Sequence, residues 1–150
     1  MLAYNLPVPI AKLNRTTLQT SAEARLEEGR ILLQNAQWTG AYYMTGLAVE
    51  CALKACLARA VKEYDYPDKK FVNDMYQHDL RKLISLDAAL WVSLQADMTN
   101  NPQLAANWDT VKDWDNERRY DVVMESQARG LYDATADASS GVMRWIRGRW

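Results

Sequence analysis

The feature that most constrains the fold is the apolar stretch from Gly40 to Val61, GAYYMTGLAVECALKACLARAV. Its only charged residues are Glu50, Lys54 and Arg59, and its apolar residues fall on nearly every face of a helical projection. A helix that is apolar almost all round packs in the interior of a helical domain. The stretch is long enough to cross a membrane, but three charges within it argue against a membrane span. We therefore expect the central helix of a helical core, in which the roles of Glu50 and Lys54 need an explanation.

Length, charge and cysteine content narrow the class of protein. The chain has 150 residues, which is typical of one domain, and a formal net charge of −1, which provides no global basic field for nucleic acid. Cys51 and Cys56 point roughly 140° apart around a helix axis, so a disulfide between them is not expected. One histidine and these two cysteines do not make a zinc site, and we expect no cofactor. Since no signal peptide is visible, we expect a cytoplasmic protein with no membrane contact.

The first part of the chain predicts an arm and two paired helices. Two prolines prevent a helix within residues 1–20, which we interpret as an N-terminal arm. A helix is predicted to begin near Thr20 or Ser21, and close approach of a neighbouring helix would explain Gly29 within it. Thr39 is the predicted cap of the central helix. The connection between the two helices is very short, so they should be antiparallel neighbours.

The second part of the chain also shows helical patterns and no strand pattern. Residues 62–77 carry a proline, alternating charges and three tyrosines, which indicate an exposed loop. Further helices are predicted from His78-Asp79-Leu80, from Asn101-Pro102 to about Trp114, and from Glu125 or Ser126 to the C-terminus, with a bend at Ser139-Ser140-Gly141. The polar stretch between the last two of these predicted helices should be irregular. The predicted fold is an all-α, up-and-down bundle of about five helices, with an arm at 1–20 and the bundle at 21–150.

Particular residues in this pattern match a known family. The run GAYYMTGLAVECALKACLA, with His78-Asp79-Leu80 and Leu83 downstream, resembles the HEPN domains, the "higher eukaryotes and prokaryotes nucleotide-binding" family. The same pattern includes Trp108, Trp114, Arg119-Tyr120 and a closing helix that ends Val142-Met143-Arg144-Trp145-Ile146. The resemblance covers roughly residues 22–150. It implies an all-α bundle similar to nucleotidyltransferase substrate-binding subunits, commonly dimeric. It also implies a nucleotidyltransferase-type partner, as in toxin–antitoxin pairs or fused proteins.

The chain departs from the ribonucleases of that family. Many catalytic members carry an arginine followed, after four to six residues, by a histidine. His78 is the only histidine here, and no arginine lies between Arg59 and Arg81. The stretch after Arg118 and Arg119 also lacks a histidine. Without that imidazole, RNA cleavage by the usual route is not expected.

Glu50 and Lys54 are the residues from which we predict a site. They are four apart and share a helix face, which is typical of a structural pair. The alternative is that Glu50 meets Arg118 or Arg119, because an unpaired carboxylate in such a helix is costly. The predicted ligand-binding cluster is Glu50, Lys54, Asp115, Arg118, Arg119 and Tyr120, with no catalytic and no metal-binding residues. His78 is interpreted as a helix-entry residue whose imidazole contacts backbone groups.

Three functions are compatible with this pattern. The first is a non-catalytic HEPN-domain protein that binds a nucleotide or a protein partner, such as a nucleotidyltransferase. The second is a divergent ribonuclease or toxin that uses Arg118, Arg119 and Tyr120. The third is a structural homodimer, with some of the tyrosines and tryptophans on the dimer face. A nucleotide or RNA is the expected ligand in the first two cases.

Overall fold

The computed structural model describes residues 12–62 and 65–150, and this part of the chain is helical with no strand. The α-helices are α1 (Arg15–Gln34), α2 (Trp38–Ala60), α3 (Lys69–Met75), α4 (Leu80–Ser85), α5 (Ala88–Asn100), α6 (Pro102–Val111), α7 (Glu125–Ala136) and α8 (Val142–Arg147). A 3₁₀ helix, Asn116–Tyr120, joins α6 to α7. The predicted all-α bundle is confirmed. None of the described helices is long and apolar enough to cross a membrane.

The helix α2 is the centre of the bundle, as its sequence predicts. It packs against α1, α4, α7, α8 and the 3₁₀ helix. Eleven of its 23 residues are buried, and among them Val49, Leu53 and Leu57 have no exposed surface. The helix lies in the middle because a segment apolar on all faces is stable only when neighbours cover every face.

Two glycines allow close packing against α2. A Cβ on Gly29 of α1 would lie 2.7 Å from Thr45 Oγ1 of α2, so the predicted close approach of the two helices is confirmed. A Cβ on Gly46 of α2 would lie 2.0 Å from the indole ring of Trp114. Trp114 is 3% exposed, and its ring therefore occupies the space that the missing side chain of Gly46 leaves free. This contact sets the distance between α2 and the chain that follows α6.

The beginnings of α1 and α2 differ from the prediction. Helix α1 begins at Arg15, earlier than Thr20 or Ser21, because Asn14 and Thr17 form a capping box. Residues 1–11 of the predicted arm lie outside the described residues. Thr39 does not cap α2, since the N-cap is Gln37. Thr39 instead donates a hydrogen bond to Asp121 O and accepts one from Val123 N.

The number of helices exceeds the predicted number of about five, because polar capping residues divide the predicted segments into shorter helices. The predicted loop at 62–77 contains α3, whose N-cap is Asp68; residues 63 and 64 lie outside the described part. Asp87 caps α5 and separates it from α4. The predicted start of α6 is confirmed, with Asn101 as N-cap and Pro102 in the first turn. The break at 139–141 separates α7 from α8 instead of bending one helix.

The Gly46–Trp114 contact predicts a large loss of stability in Gly46→Ala. The added methyl group must displace a buried indole, and overpacking of this kind costs about 1–3 kcal/mol or more. Gly130→Ala is the matched control, because nothing lies within 4 Å of a Cβ at that position of α7. In this control the free energy of unfolding should rise by about 0.5–1 kcal/mol, because alanine reduces the backbone freedom of the unfolded chain. Urea denaturation curves measure both variants, and a Gly46→Ala protein as stable as the control would refute the contact.

Candidate functional site

The carboxylate of Glu50 lies inside the bundle and has two cationic or potentially cationic partners. The side chain of Glu50 is 5% exposed. Lys54 Nζ donates to Glu50 Oε1 at 2.8 Å from one helical turn further along α2. His78 Nδ1 lies 3.0 Å from each of the two carboxylate oxygens. An ionised carboxylate only accepts hydrogen bonds, so His78 presents Nδ1–H to Glu50.

The local sequence around His78 explains how the imidazole reaches Glu50. The side chain of Asp79 accepts hydrogen bonds from the backbone N–H groups of Arg81 and Lys82 and so caps α4. Leu80, the first residue of α4, is fully buried in the main core. The cap and the buried leucine together fix the direction in which the chain enters α4, and this direction places His78 over α2. The prediction that His78 is a helix-entry residue is confirmed, but its imidazole contacts Glu50 rather than backbone groups.

A polar cleft opens beside His78. It has a volume of about 280 Å³ and is lined by His78, Asp79, Arg81, Lys112, Asp113, Trp114, Asp115 and Asn116. The side chain of His78 is 53% exposed. With Nδ1 held by Glu50, the second ring nitrogen, Nε2, is left to act as a hydrogen-bond acceptor. Of the residues predicted for the site, Asp115 lines this cleft, and Glu50 contacts it only through His78.

A second, apolar cleft adjoins the polar one. It has a volume of about 620 Å³ and is lined by Arg81, Ser85, Trp91, Met98, Ala105, Ala106, Trp108, Asp109 and Lys112. Arg81 and Lys112 line both clefts, so the two clefts are neighbours, and together they are here called the Arg81–Lys112 groove. The apolar cleft alone is within the range of about 300–1,000 Å³ that small-molecule sites occupy.

The two cations of the groove are available to an anionic ligand. Arg81 Nη2 lies 3.3 Å from Asp113 Oδ1, and the side chains are 63% and 58% exposed. Lys112 pairs with Asp109, whose side chain is also exposed. Exposed ion pairs of this kind are worth about 0–1 kcal/mol. A phosphate can therefore replace these carboxylates as the partner of Arg81 and Lys112 at low cost.

The remaining predicted residues lie on the 3₁₀ helix and do not contact Glu50. Arg118 Nη1 lies 3.5 Å from Asp121 Oδ2, and Arg119 Nη2 donates to the hydroxyl of Tyr120 at 2.9 Å. The guanidinium of Arg119 also lies over the ring of Tyr120, 4.7 Å from its centre. The hypothesis that Glu50 meets Arg118 or Arg119 is therefore wrong. His78 takes that place, because Asp79 and Leu80 bring it to α2.

The thiols and acids of the described residues do not form a metal site. Within residues 12–62 and 65–150, no group of three or more histidine, cysteine, aspartate or glutamate side chains is placed to hold a metal ion. Cys51 and Cys56 are free thiols. Burial raises the pKa of the Cys56 thiol to about 11, and burial also raises the pKa of Cys51. Both thiols are therefore protonated and weakly nucleophilic near neutral pH.

Sequence reasoning did not find the residues that give the groove its chemistry. Arg81 and Lys112 lie 31 positions apart on α4 and after α6, and no spacing rule joins them. No spacing rule joins Trp91 of α5, which lines the apolar cleft, to either of them. The one feature of the sequence that pointed to this groove was His78, a lone histidine before a capping aspartate. Comparisons with protein-family models, with curated proteins and with solved structures found no match.

The contact between Glu50 and His78 predicts the tautomer of the imidazole. Free imidazole side chains favour the Nε2–H form, whereas a buried carboxylate at Nδ1 selects the Nδ1–H form. His78 is the only histidine, so a long-range ¹H–¹⁵N NMR spectrum contains one imidazole pattern. The wild-type protein should show Nδ1–H when the ring is neutral, and Glu50→Ala should show Nε2–H. Glu125→Ala, an exposed acid on α7, is the control and should keep the wild-type pattern. An Nε2–H pattern in the wild-type protein would contradict the contact.

Proposed function

We propose that the protein is a non-catalytic, HEPN-like binding module that holds a nucleotide in the Arg81–Lys112 groove. The observation that carries the proposal is the position of Arg81 and Lys112 between an apolar, aromatic cleft and a polar cleft. A nucleotide is divided in a similar way, since a base with apolar faces is joined through a polar ribose to an anionic phosphate. The two cations between the clefts are suited to the phosphate.

Each part of the groove matches one part of such a ligand. Trp91 and Met98 line the apolar cleft and provide a surface for a base. Aromatic side chains contribute about 1–3 kcal/mol when they stack on a base. The carboxylates of Asp113 and Asp115 line the polar cleft and accept hydrogen bonds, as ribose hydroxyl groups require. His78 Nε2 is a further acceptor in the same cleft.

The charge distribution favours a small nucleotide over a nucleic acid strand. The polar cleft contains three aspartates, Asp79, Asp113 and Asp115, beside its two cations. A nucleic acid strand with many phosphates binds best to a continuous positive surface. These carboxylates break up the positive surface that the two cations would otherwise provide. One or two phosphates need only the guanidinium of Arg81 and the ammonium of Lys112.

The divergent-ribonuclease alternative has less support. It places catalysis on Arg118, Arg119 and Tyr120, whose side chains are exposed and contact one another or Asp121. His78, the only imidazole of the chain, is held by Glu50 and is not part of that cluster. The nucleotidyltransferase-type partner that the family resemblance implies stays a prediction.

Isothermal titration calorimetry with nucleoside mono-, di- and triphosphates tests the proposal. Wild-type protein should bind at least one of them, and Arg81→Ala should raise the Kd about tenfold or more, because it removes a charge-assisted contact to phosphate. Lys112→Ala should weaken binding in the same direction. Arg144→Ala is the matched control, since Arg144 is an exposed arginine of α8 outside the groove, and its Kd should equal that of the wild type.

Three results would overturn the proposal. The first is binding that Arg81→Ala and Lys112→Ala leave unchanged, which would place the ligand elsewhere. The second is metal-independent cleavage of mixed RNA that is lost in Arg119→Ala, which would establish the ribonuclease alternative. The absence of heat with every nucleotide of the panel would equally count against a nucleotide module.

A further inference from the structure

A further cavity lies between the beginning of α1, the second half of α2 and the short helix α3. Its volume is about 320 Å³. Apolar side chains from all three helices form much of its wall, among them Leu18, Ala58, Val72 and Met75. Two cationic side chains, Arg15 of α1 and Lys54 of α2, line the same cavity. We call it the Lys54 pocket.

The sequence of α3 explains the apolar wall on its side of the pocket. Asp68 caps this helix and so sets its first residue. Val72 and Met75 are three positions apart, so their side chains share one helix face. None of the residues of α3 is buried. This helix therefore covers α1 and α2 without filling the space against them, and the Lys54 pocket is that space.

Two large apolar side chains of the pocket are exposed. Leu13, which precedes α1, is 61% exposed, and Tyr76, which follows α3, is 67% exposed. Both line the Lys54 pocket. Exposed apolar side chains grouped around a cavity are typical of ligand-binding grooves. An apolar ligand chain in the pocket would remove part of this surface from water, which favours binding.

The charged side chains that line the pocket are both positive. Among the described residues no carboxylate lines it, whereas aspartates line both clefts of the Arg81–Lys112 groove. The side chain of Lys54 is only 14% exposed, and its hydrogen bond within the described residues goes to Glu50 Oε1 at 2.8 Å. An ammonium group has three N–H donors, so Lys54 has further donors for an anion. Arg15 supplies a second, exposed cation.

We propose that the Lys54 pocket binds a medium-chain fatty acid, with the carboxylate at Lys54 and Arg15 and the alkyl chain between α1, α2 and α3. The apolar walls are mostly aliphatic, with Tyr76 as the one aromatic side chain among the described residues that line them. A ligand that is polar along its whole length would lose hydrogen bonds to water there without gaining others. The volume is near the lower end of the range of about 300–1,000 Å³ for small-molecule sites, which favours a short chain.

This site is separate from the proposed nucleotide site. None of the described residues that line the Lys54 pocket lines the Arg81–Lys112 groove. The two ligands also differ in chemistry, since a fatty acid has an alkyl chain where a nucleotide has a base and a ribose. Either proposal can therefore fail while the other holds.

Isothermal titration calorimetry of the full chain with decanoate, below its micelle concentration, tests the proposal. The wild-type protein should bind one decanoate per chain. In the series hexanoate, octanoate and decanoate, each two added methylene groups should lower the Kd about tenfold, because each is removed from water. Decanol has the same alkyl chain without the carboxylate, and its Kd should be about tenfold higher or more.

Two variants with matched controls locate the site. Ala58 lines the pocket and is partly exposed, so Ala58→Phe should fill the cavity and abolish decanoate binding. Ala96→Phe, at an exposed alanine of α5, should bind like the wild type. Arg15→Gln should raise the Kd for decanoate about tenfold, while Arg144→Gln on α8 should leave it unchanged. Thermal melts check that each variant is folded. Lys54→Met also removes a partner of Glu50, so Arg15→Gln carries the test of charge.

Four results would overturn the proposal. The absence of heat with decanoate would exclude a fatty-acid site. Equal affinity for decanol and decanoate, or decanoate binding that Ala58→Phe leaves unchanged, would show a general apolar association instead. Binding that occurs only in a variant lacking residues 1–11 would assign the pocket to that segment of the chain. Nucleotide titrations of Ala58→Phe should match those of the wild type, which keeps the two sites distinguishable.

Discussion

The buried carboxylate of Glu50 is the interaction on which the arrangement of this bundle depends. A charge inside an apolar helix is tolerated only when other groups neutralise it and satisfy its lone pairs. Lys54 supplies the opposite charge from the same helix, and His78 supplies an Nδ1–H donor from the residue before the cap of α4. Removing one member of such a buried group typically costs about 3–5 kcal/mol, because the others are left without partners. The carboxylate thus ties the entrance of α4 to the central helix.

The position of α4 then determines where the candidate site can form. Arg81 lies in the first turn of α4, so it faces the groove only because His78 and Leu80 hold that turn against α2. The opposite wall follows α6, where Trp114 packs onto Gly46 and brings Lys112, Asp113 and Asp115 into place. Two contacts with α2, one polar at Glu50 and one apolar at Gly46, therefore fix the two walls of the groove. The chain between the 3₁₀ helix and α7 is attached to α2 by a third contact, through Thr39.

The sequence predicted the features that depend on residues near one another in the chain. The all-apolar pattern of 40–61 predicted the central helix, the four-residue spacing predicted the Glu50–Lys54 pair, and Asn101-Pro102 predicted the start of α6. Helix number was underestimated because single aspartates, such as Asp68 and Asp87, act as caps within segments whose hydrophobic pattern continues. The alternative partner predicted for Glu50, Arg118 or Arg119, is wrong because the further partner, His78, depends on a contact across 28 positions. No periodicity reports such a contact, and arginine and histidine were equally able to satisfy the carboxylate.

Energetic coupling between Glu50 and His78 is measured most directly by a double-mutant cycle with Glu50→Gln, His78→Ala and the double variant, followed by urea denaturation. The exposed pair of Glu125 and Arg129 on α7 serves as the reference cycle, for which about 0.3–0.5 kcal/mol is expected. A charge-assisted contact to a buried carboxylate predicts a coupling of about 1–3 kcal/mol for Glu50 and His78. Additive effects within about 0.3 kcal/mol would contradict the role of Glu50 as the group that holds α4 on the central helix.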